Sequence, residues 1–186
     1  MIYSLTLETA VIAVGALLVI AHAIALWKPH QSQAWLRRFP RSRTAGAVLL
    51  LAAAIWSWVL IKTIDLGEFS NWRTRILIFI PIAAFLTWRY VDEFLAARAL
   101  GMVALLAAEP LLESAWLRPE GSRLALVILA YGWIVAALFW IGMPYTLRDQ
   151  IAWVTKNEGR WKSAAFAGIG YGLILICSFL TLHRSV

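Results

Sequence analysis

Long apolar runs without Asp, Glu, Lys or Arg are the feature that most constrains this chain. Three of them occupy 9–27, 124–147 and 163–182, and a slightly shorter fourth occupies 44–61. A helix needs about 20 apolar residues to cross a bilayer core of about 30 Å. With 62% hydrophobic and only 15% charged residues in 186 positions, the chain has more apolar surface than a soluble domain of this size can bury. The runs therefore predict transmembrane helices.

The formal charge of +7 indicates membrane contact and not nucleic acid, because the basic residues lie between the apolar runs. Aromatic residues alternate with arginines in the basic loop 28–43, so we expect this loop to lie against anionic headgroups. The single Cys177 lies in the last apolar run and can form neither an intrachain disulfide nor a multi-cysteine metal site. No metal and no nucleic-acid partner are predicted.

The pattern predicts an all-α fold, a polytopic transmembrane bundle of six helices in one membrane domain over 1–186. Segment 76–116 contains little turn chemistry, yet as one straight helix it would measure about 60 Å. We therefore divide it at "RYVDEF", where Asp92 can cap a new helix. Segment 146–158 is amphipathic and is predicted to be an interfacial helix that ends at Gly159. The predicted spans are 7–27, 44–64, 74–91, 93–116, 123–142 and 162–183.

The distribution of basic residues predicts the orientation of these spans. If the N-terminus is outside, the segments that follow the first, third and fifth spans, together with the adjoining ends of the spans, carry 11 of the 17 Lys and Arg residues, against six on the other side. The positive-inside rule then places both termini outside, in a plasma or inner membrane. The orientation inverts if 76–116 crosses the membrane only once.

Three charged residues, Arg98, Glu109 and Glu113, interrupt the fourth predicted span. At 100° per residue, Arg98 and Glu109 lie about 20° apart around the helix axis, and Glu113 lies about 40° further on. The three form a polar stripe that we expect to face the bundle interior. Arg98 and Glu109 are about 16 Å apart along the axis, so each needs a partner elsewhere. A second shell around the stripe is predicted to contain Arg89, Glu93 and Tyr131.

The depth of Glu109 allows a functional and a structural interpretation of the stripe. An isolated charge near the bilayer centre costs about 2.5 to 3.5 kcal/mol, and ionisable groups kept at that depth often serve function. Pro110 also frees the carbonyl of Leu106, which gives a bound proton or cation a second acceptor. In the structural interpretation, Glu109 and Glu113 pair with arginines near the membrane surface. The candidate partners are Arg75, Arg118 and Arg123.

Small residues recur every four positions in the last predicted span, at Ala164, Gly168 and Gly172. This spacing allows two helix backbones to approach closely in lipid, where packing drives association. The partner is expected to be the first or fifth span of the same chain, or the same helix in a second copy. The chain is therefore a candidate homo-oligomer.

His22 lies in an Ala-rich part of the first span and is a candidate axial ligand for haem or chlorophyll. A lone histidine is a weak indication of a cofactor, because membrane-helix histidines are more often hydrogen-bonded inside the bundle. We therefore predict no cofactor, with a tetrapyrrole at His22 as the alternative.

The tryptophans of the chain fall into two groups. Most of the 11 lie near predicted span ends, as expected for an aromatic belt at the headgroup level. Four lie deeper and are better candidates for lining a cavity. These are Trp56, Trp58, Trp133 and Trp140.

No motif for nucleophilic catalysis or phosphate binding occurs in the sequence, so we do not expect an enzyme. The leading hypothesis is that the polar stripe binds or passes an ion, a proton or a small polar solute. Two alternatives stay open. The chain could be a structural or accessory membrane subunit of a larger complex, or a membrane-embedded enzyme that acts on a lipid-like substrate.

Overall fold

Helices form all the regular structure in the residues that the computed structural model describes, which are 3, 5–91, 93–117 and 123–184. The predicted all-α class is confirmed. Two short 3-10 segments, Phe39–Arg41 and Gly67–Trp72, connect some of the α-helices. The α-helices are α1 (Leu7–Trp27), α2 (Pro29–Arg38), α3 (Arg43–Thr63), α4 (Arg73–Tyr90), α5 (Leu95–Ser114), α6 (Arg123–Gly142), α7 (Tyr145–Val154) and α8 (Glu158–Arg184).

Five of these helices are long and apolar enough to cross a membrane: α1, α3, α5, α6 and α8. They correspond to five of the six predicted spans. The remaining predicted span, 74–91, corresponds to α4, which is only 18 residues long and contains Arg73, Arg75 and Arg89. Its arginine content keeps α4 outside the set of candidate spans, so the sixth crossing remains a prediction.

Side-chain caps explain where two of the spans begin. The Thr6 hydroxyl accepts a hydrogen bond from the backbone N–H of Thr9 at the start of α1, and the Ser42 hydroxyl accepts one from Ala45 at the start of α3. Helix α5 begins after Phe94, whose backbone is left-handed with φ 56°. The predicted cap of this helix, Asp92, lies outside the described residues.

The basic segment 28–43 is mostly helical, and the predicted loop was wrong in this respect. Pro29 occupies the first turn of α2, where its missing N–H removes no helical hydrogen bond. Leu36 packs against a cluster on α7, while Arg37 and Arg38 are exposed. Most of the segment is an amphipathic helix, which the sequence conceals because the apolar residues of α2 are consecutive and show no helical spacing.

The predicted interfacial helix is present as α7, with Leu147 and Ile151 buried. The predicted end at Gly159 was wrong, because α7 already ends at Val154 and Gly159 belongs to the first turn of α8. The Asn157 side chain accepts a hydrogen bond from the backbone N–H of Arg160 at 2.9 Å, which starts α8 earlier than predicted.

Glycines allow the helices to approach closely at three crossings. A Cβ atom on Gly46 of α3 would lie 2.8 Å from the backbone nitrogen of Ala96 in α5. A Cβ on Gly101 of α5 would lie 2.9 Å from the carbonyl oxygen of Ala137 in α6. Helix α5 thus packs against both α3 and α6, and most of the residues along it are buried or half-buried. It is the central helix of the bundle.

The third crossing joins α1 to α8 through the face that contains Ala164, Gly168 and Gly172. A Cβ on Gly172 would lie 2.8 Å from the carbonyl oxygen of Gly15, and a Cβ on Gly15 would lie 2.8 Å from that of Gly172. The imidazole ring of His22 fills the space in front of Gly168. Among the partners proposed from sequence, the structure places α1 against this face.

We predict that Gly172→Ala destabilises the protein and that Gly170→Ala, in the same helix, does not. The new methyl group at position 172 meets the backbone of α1, whereas nothing lies within 4 Å of a Cβ at position 170. Overpacking of this kind costs about 1 to 3 kcal/mol. Thermal unfolding in detergent measures the effect, and equal midpoints for the two variants would contradict the packing.

Candidate functional site

Tyr3, which precedes α1 in the chain, contacts both acidic residues of α5. Its backbone N–H donates to Oε2 of Glu113 at 3.1 Å, and its hydroxyl forms a side-chain hydrogen bond with Glu109. The indole N–H of Trp56 in α3 donates to the Tyr3 hydroxyl oxygen at 2.8 Å. The N-terminal segment, α3 and α5 therefore meet at the two carboxylates, which we call the carboxylate site.

The carboxylate site contains a buried oxygen atom that lacks a partner. Oε2 of Glu109 is shielded from solvent and accepts no hydrogen bond from any described residue. Burial raises the pKa of the Tyr3 hydroxyl, and the neighbouring Glu109 and Glu113 raise this pKa further, against an opposing effect of Trp56. The Tyr3 hydroxyl therefore stays protonated and serves as a donor to Glu109.

An open pocket of about 410 Å³ lies beside the two acids, between α5 and α6. Its walls are apolar apart from the carboxyl groups. Pro110 is buried within α5 next to Glu109, and its missing N–H frees the carbonyl of Leu106. The pocket is lined by Leu105, Ala108, Glu109, Leu112, Glu113, Trp116 and Ile134.

Arg98 lies at the opposite end of α5 and has different partners. Its Nη1 donates to the carbonyl oxygen of Ile141 at 2.9 Å, at the end of α6. A cation is favourable there because helix C-termini carry a partial negative charge and unsatisfied carbonyls. Its Nε is buried and has no partner among the described residues. The structure brings Glu109 and Glu113 together but places Arg98 with α6.

The residues predicted for the second shell do not meet the carboxylate site. Arg89 is exposed and stacks on the ring of its neighbour Tyr90. Glu93 is exposed between α4 and α5, and Tyr131 is 57% exposed on α6. Only their positions in the sequence suggested that these residues lie near the stripe.

The arginines predicted as candidate partners of Glu109 and Glu113 lie at different places in the fold. Arg75 stacks on the Trp72 ring at 4.9 Å, at the start of α4. Arg123 is half-buried and begins α6. Arg118 lies outside the described residues. Among the described residues, Tyr3 contacts both acids, Glu109 through its hydroxyl and Glu113 through its backbone N–H.

His22 is hydrogen-bonded within its own helix. Its Nδ1 lies 2.7 Å from the carbonyl oxygen of Leu18, and its Nε2 edge packs against Gly168 of α8. The ring also lines a cavity of about 660 Å³, together with Trp161 and Ala164. An axial bond to a tetrapyrrole would need the Nε2 edge that α8 covers.

Among the described residues, no group of three or more His, Cys, Asp or Glu could hold a metal ion.

Sequence reasoning missed the contribution of Tyr3. The few residues before α1 show no periodicity, and nothing in them indicates that they fold back onto α5. The one usable signal was Trp56, a tryptophan too deep for the aromatic belt, since a buried indole N–H usually finds an acceptor.

The comparisons with known proteins assign no family to this chain, so only its general class can be stated. No family model matches the chain, and neither the curated proteins nor the solved structures gave a significant match. The fold and the five candidate spans define an all-helical membrane protein. Its particular function has to be inferred from the site.

Proposed function

We propose that the carboxylate site binds a proton or a small monovalent cation. The observation that carries this proposal is the buried Oε2 of Glu109, which has no hydrogen-bond partner among the described residues and lies beside a second carboxylate, Glu113. A buried acceptor that lacks a donor is costly, and a bound proton or cation removes this cost. Tyr3 and Trp56 hold the acids in place and leave one oxygen for the ligand.

The geometry favours a binding site at one end of the bundle over a continuous passage. Arg98 donates a hydrogen bond to the carbonyl oxygen of Ile141 at the end of α6. Arg98 and Glu109 are about 16 Å apart along α5. Met102 and Leu105 separate the two along the predicted stripe, and their apolar side chains offer no relay for an ion. Transport would need an opening between Arg98 and Glu109, whereas binding needs only the carboxylate site.

The proposed topology retains six crossings, with α4 as the sixth. Helix α4 runs back along α3: Arg73 at its start donates to the carbonyl oxygen of Ile64 at the end of α3, and the ring of Trp88 near its end lies under Arg43 at the start of α3. Its 18 residues measure about 27 Å, close to the thickness of a bilayer core, and its terminal arginines can extend to the headgroups. With both termini outside, the carboxylate site faces outward and Arg98 lies at the inner end of α5.

The accessory-subunit alternative is favoured by one observation about α4. This helix has no buried residue, and its apolar side chains, including Phe79 and Phe85, are well exposed. Lipid or a partner helix covers them in the membrane. Partner chains that co-purify with the wild type, but not with a Phe79→Ala/Phe85→Ala variant, would support the accessory role.

We predict that Glu109→Gln abolishes ligand binding at the carboxylate site, because the amide cannot take up a proton or balance a cation. The measurement is the infrared difference spectrum of the carboxyl region between acid and neutral pH, with ion flux in proteoliposomes as a second readout. Glu8→Gln is the matched control, since Glu8 is an exposed acid in the first turn of α1. If the signal persists in Glu109→Gln while stability falls, Glu109 is a packing residue.

Cysteine labelling in spheroplasts tests the proposed topology in a Cys177→Ser background. If α4 crosses the membrane, Ser70→Cys before it and Glu93→Cys after it react with an impermeant reagent from opposite sides. Ser32→Cys, in α2, should be protected together with Glu93→Cys. Labelling of positions 70 and 93 from the same side would show five crossings and invert the following spans.

A further inference from the structure

Three arginines from separate elements line one pocket at the end of the bundle where α6 ends. Arg37 belongs to α2, Arg41 to the 3-10 segment, and Arg148 to α7, and the pocket between them has a volume of about 340 Å³. No acidic residue lines it. The other lining residues are Pro40, Ile151, Ala152 and Thr155. We call this the arginine pocket.

Specific contacts hold these guanidinium groups in position. Arg37 donates from Nε to the Thr155 hydroxyl at 2.9 Å and from Nη2 to the Thr155 carbonyl oxygen at 2.6 Å. Arg41 and Arg148 both lie 5.8 Å from the centre of the Phe94 ring. Phe94 has the left-handed backbone at φ 56°, a strained conformation for a bulky residue.

The charge of the pocket is only partly offset within the protein. Asp149 pairs with Arg148 at 2.8 Å, but both side chains of that pair are exposed, so water weakens their attraction. Within the part of the chain that the structure describes, Arg37 and Arg41 pair with no acidic residue. Like charges held together repel each other, and an anion bound between them stabilises the arrangement.

An apolar groove of about 870 Å³ also contacts Ile151, which lines both this groove and the arginine pocket. Leu36 and Phe39 from the α2 side and Val154 from α7 form part of its wall. A basic pocket with an apolar groove on the other side of one residue is complementary to an anionic headgroup with an acyl chain. The amphipathic helices α2 and α7 and the exposed Trp35 and Trp153 place the pocket at headgroup depth.

We propose that the arginine pocket binds the phosphate of one anionic phospholipid, with an acyl chain of that lipid in the apolar groove. The juxtaposition of Arg37, Arg41 and Arg148 with the groove beyond Ile151 carries this inference. The site lies at the other end of the bundle from Glu109, so it does not depend on the proposed cation binding. Lipid binding here would fix α2 and α7 on the inner surface of the membrane.

Native mass spectrometry of the full chain in detergent tests the proposal with phosphatidylglycerol and phosphatidylcholine of identical acyl chains. The wild type should bind phosphatidylglycerol at least about tenfold more tightly, since its phosphate group meets the arginines without a choline cation. An Arg41→Gln/Arg148→Gln variant should lose about 30-fold in affinity for phosphatidylglycerol, from about 1 kcal/mol per arginine.

The matched control is Arg38→Gln/Lys156→Gln, which removes the same charge from α2 and the end of α7 but does not alter a lining residue of the arginine pocket. This variant should bind like the wild type. An equal loss of affinity for phosphatidylglycerol in both variants would show an effect of diffuse surface charge and overturn the proposal. Equal binding of the two lipids by the wild type would also overturn it. Inorganic phosphate that competes as well as phosphatidylglycerol would assign the pocket to a soluble anion instead.

Discussion

Close approach of helix backbones at glycines is the constraint on which the rest of the structure depends. Apolar side chains gain little from each other when lipid is the alternative, so helices associate where small residues permit dense packing. The contact of Gly15 with Gly172 holds α1 against α8, and that of Gly46 with Ala96 holds α3 against α5. These crossings decide which side chains meet at the bundle ends.

The carboxylate site follows from that packing. Because α1 is held firmly, the segment before it can bring Tyr3 over the end of α5, and because α3 lies close to α5, Trp56 reaches the Tyr3 hydroxyl. The acids are thereby fixed with one buried oxygen of Glu109 left unpartnered. Local sequence places the charges on α5, and tertiary packing determines their partners.

The sequence predicted the helices well because lipid imposes a simple rule on spanning segments. Apolar length located α1, α3 and α6 to within about two residues, and the small-residue spacing located the face of α8 that meets α1. The helix α2 was missed because its apolar residues, Ala34, Trp35 and Leu36, are consecutive and show no helical spacing. Tyr3 was missed because a contact between residues 3 and 109 leaves no trace in local periodicity.

A double-mutant cycle between Tyr3 and Glu109 tests the central claim most directly. The free energy of unfolding in detergent at fixed pH is measured for the wild type, Tyr3→Phe, Glu109→Gln and the double variant. We expect Tyr3→Phe to lower the free energy of unfolding of the wild type and to have a smaller effect once Glu109 is replaced, with a coupling energy of about 0.5 to 3 kcal/mol. Additive effects of the two substitutions would show that Tyr3 and Glu109 do not act as one site.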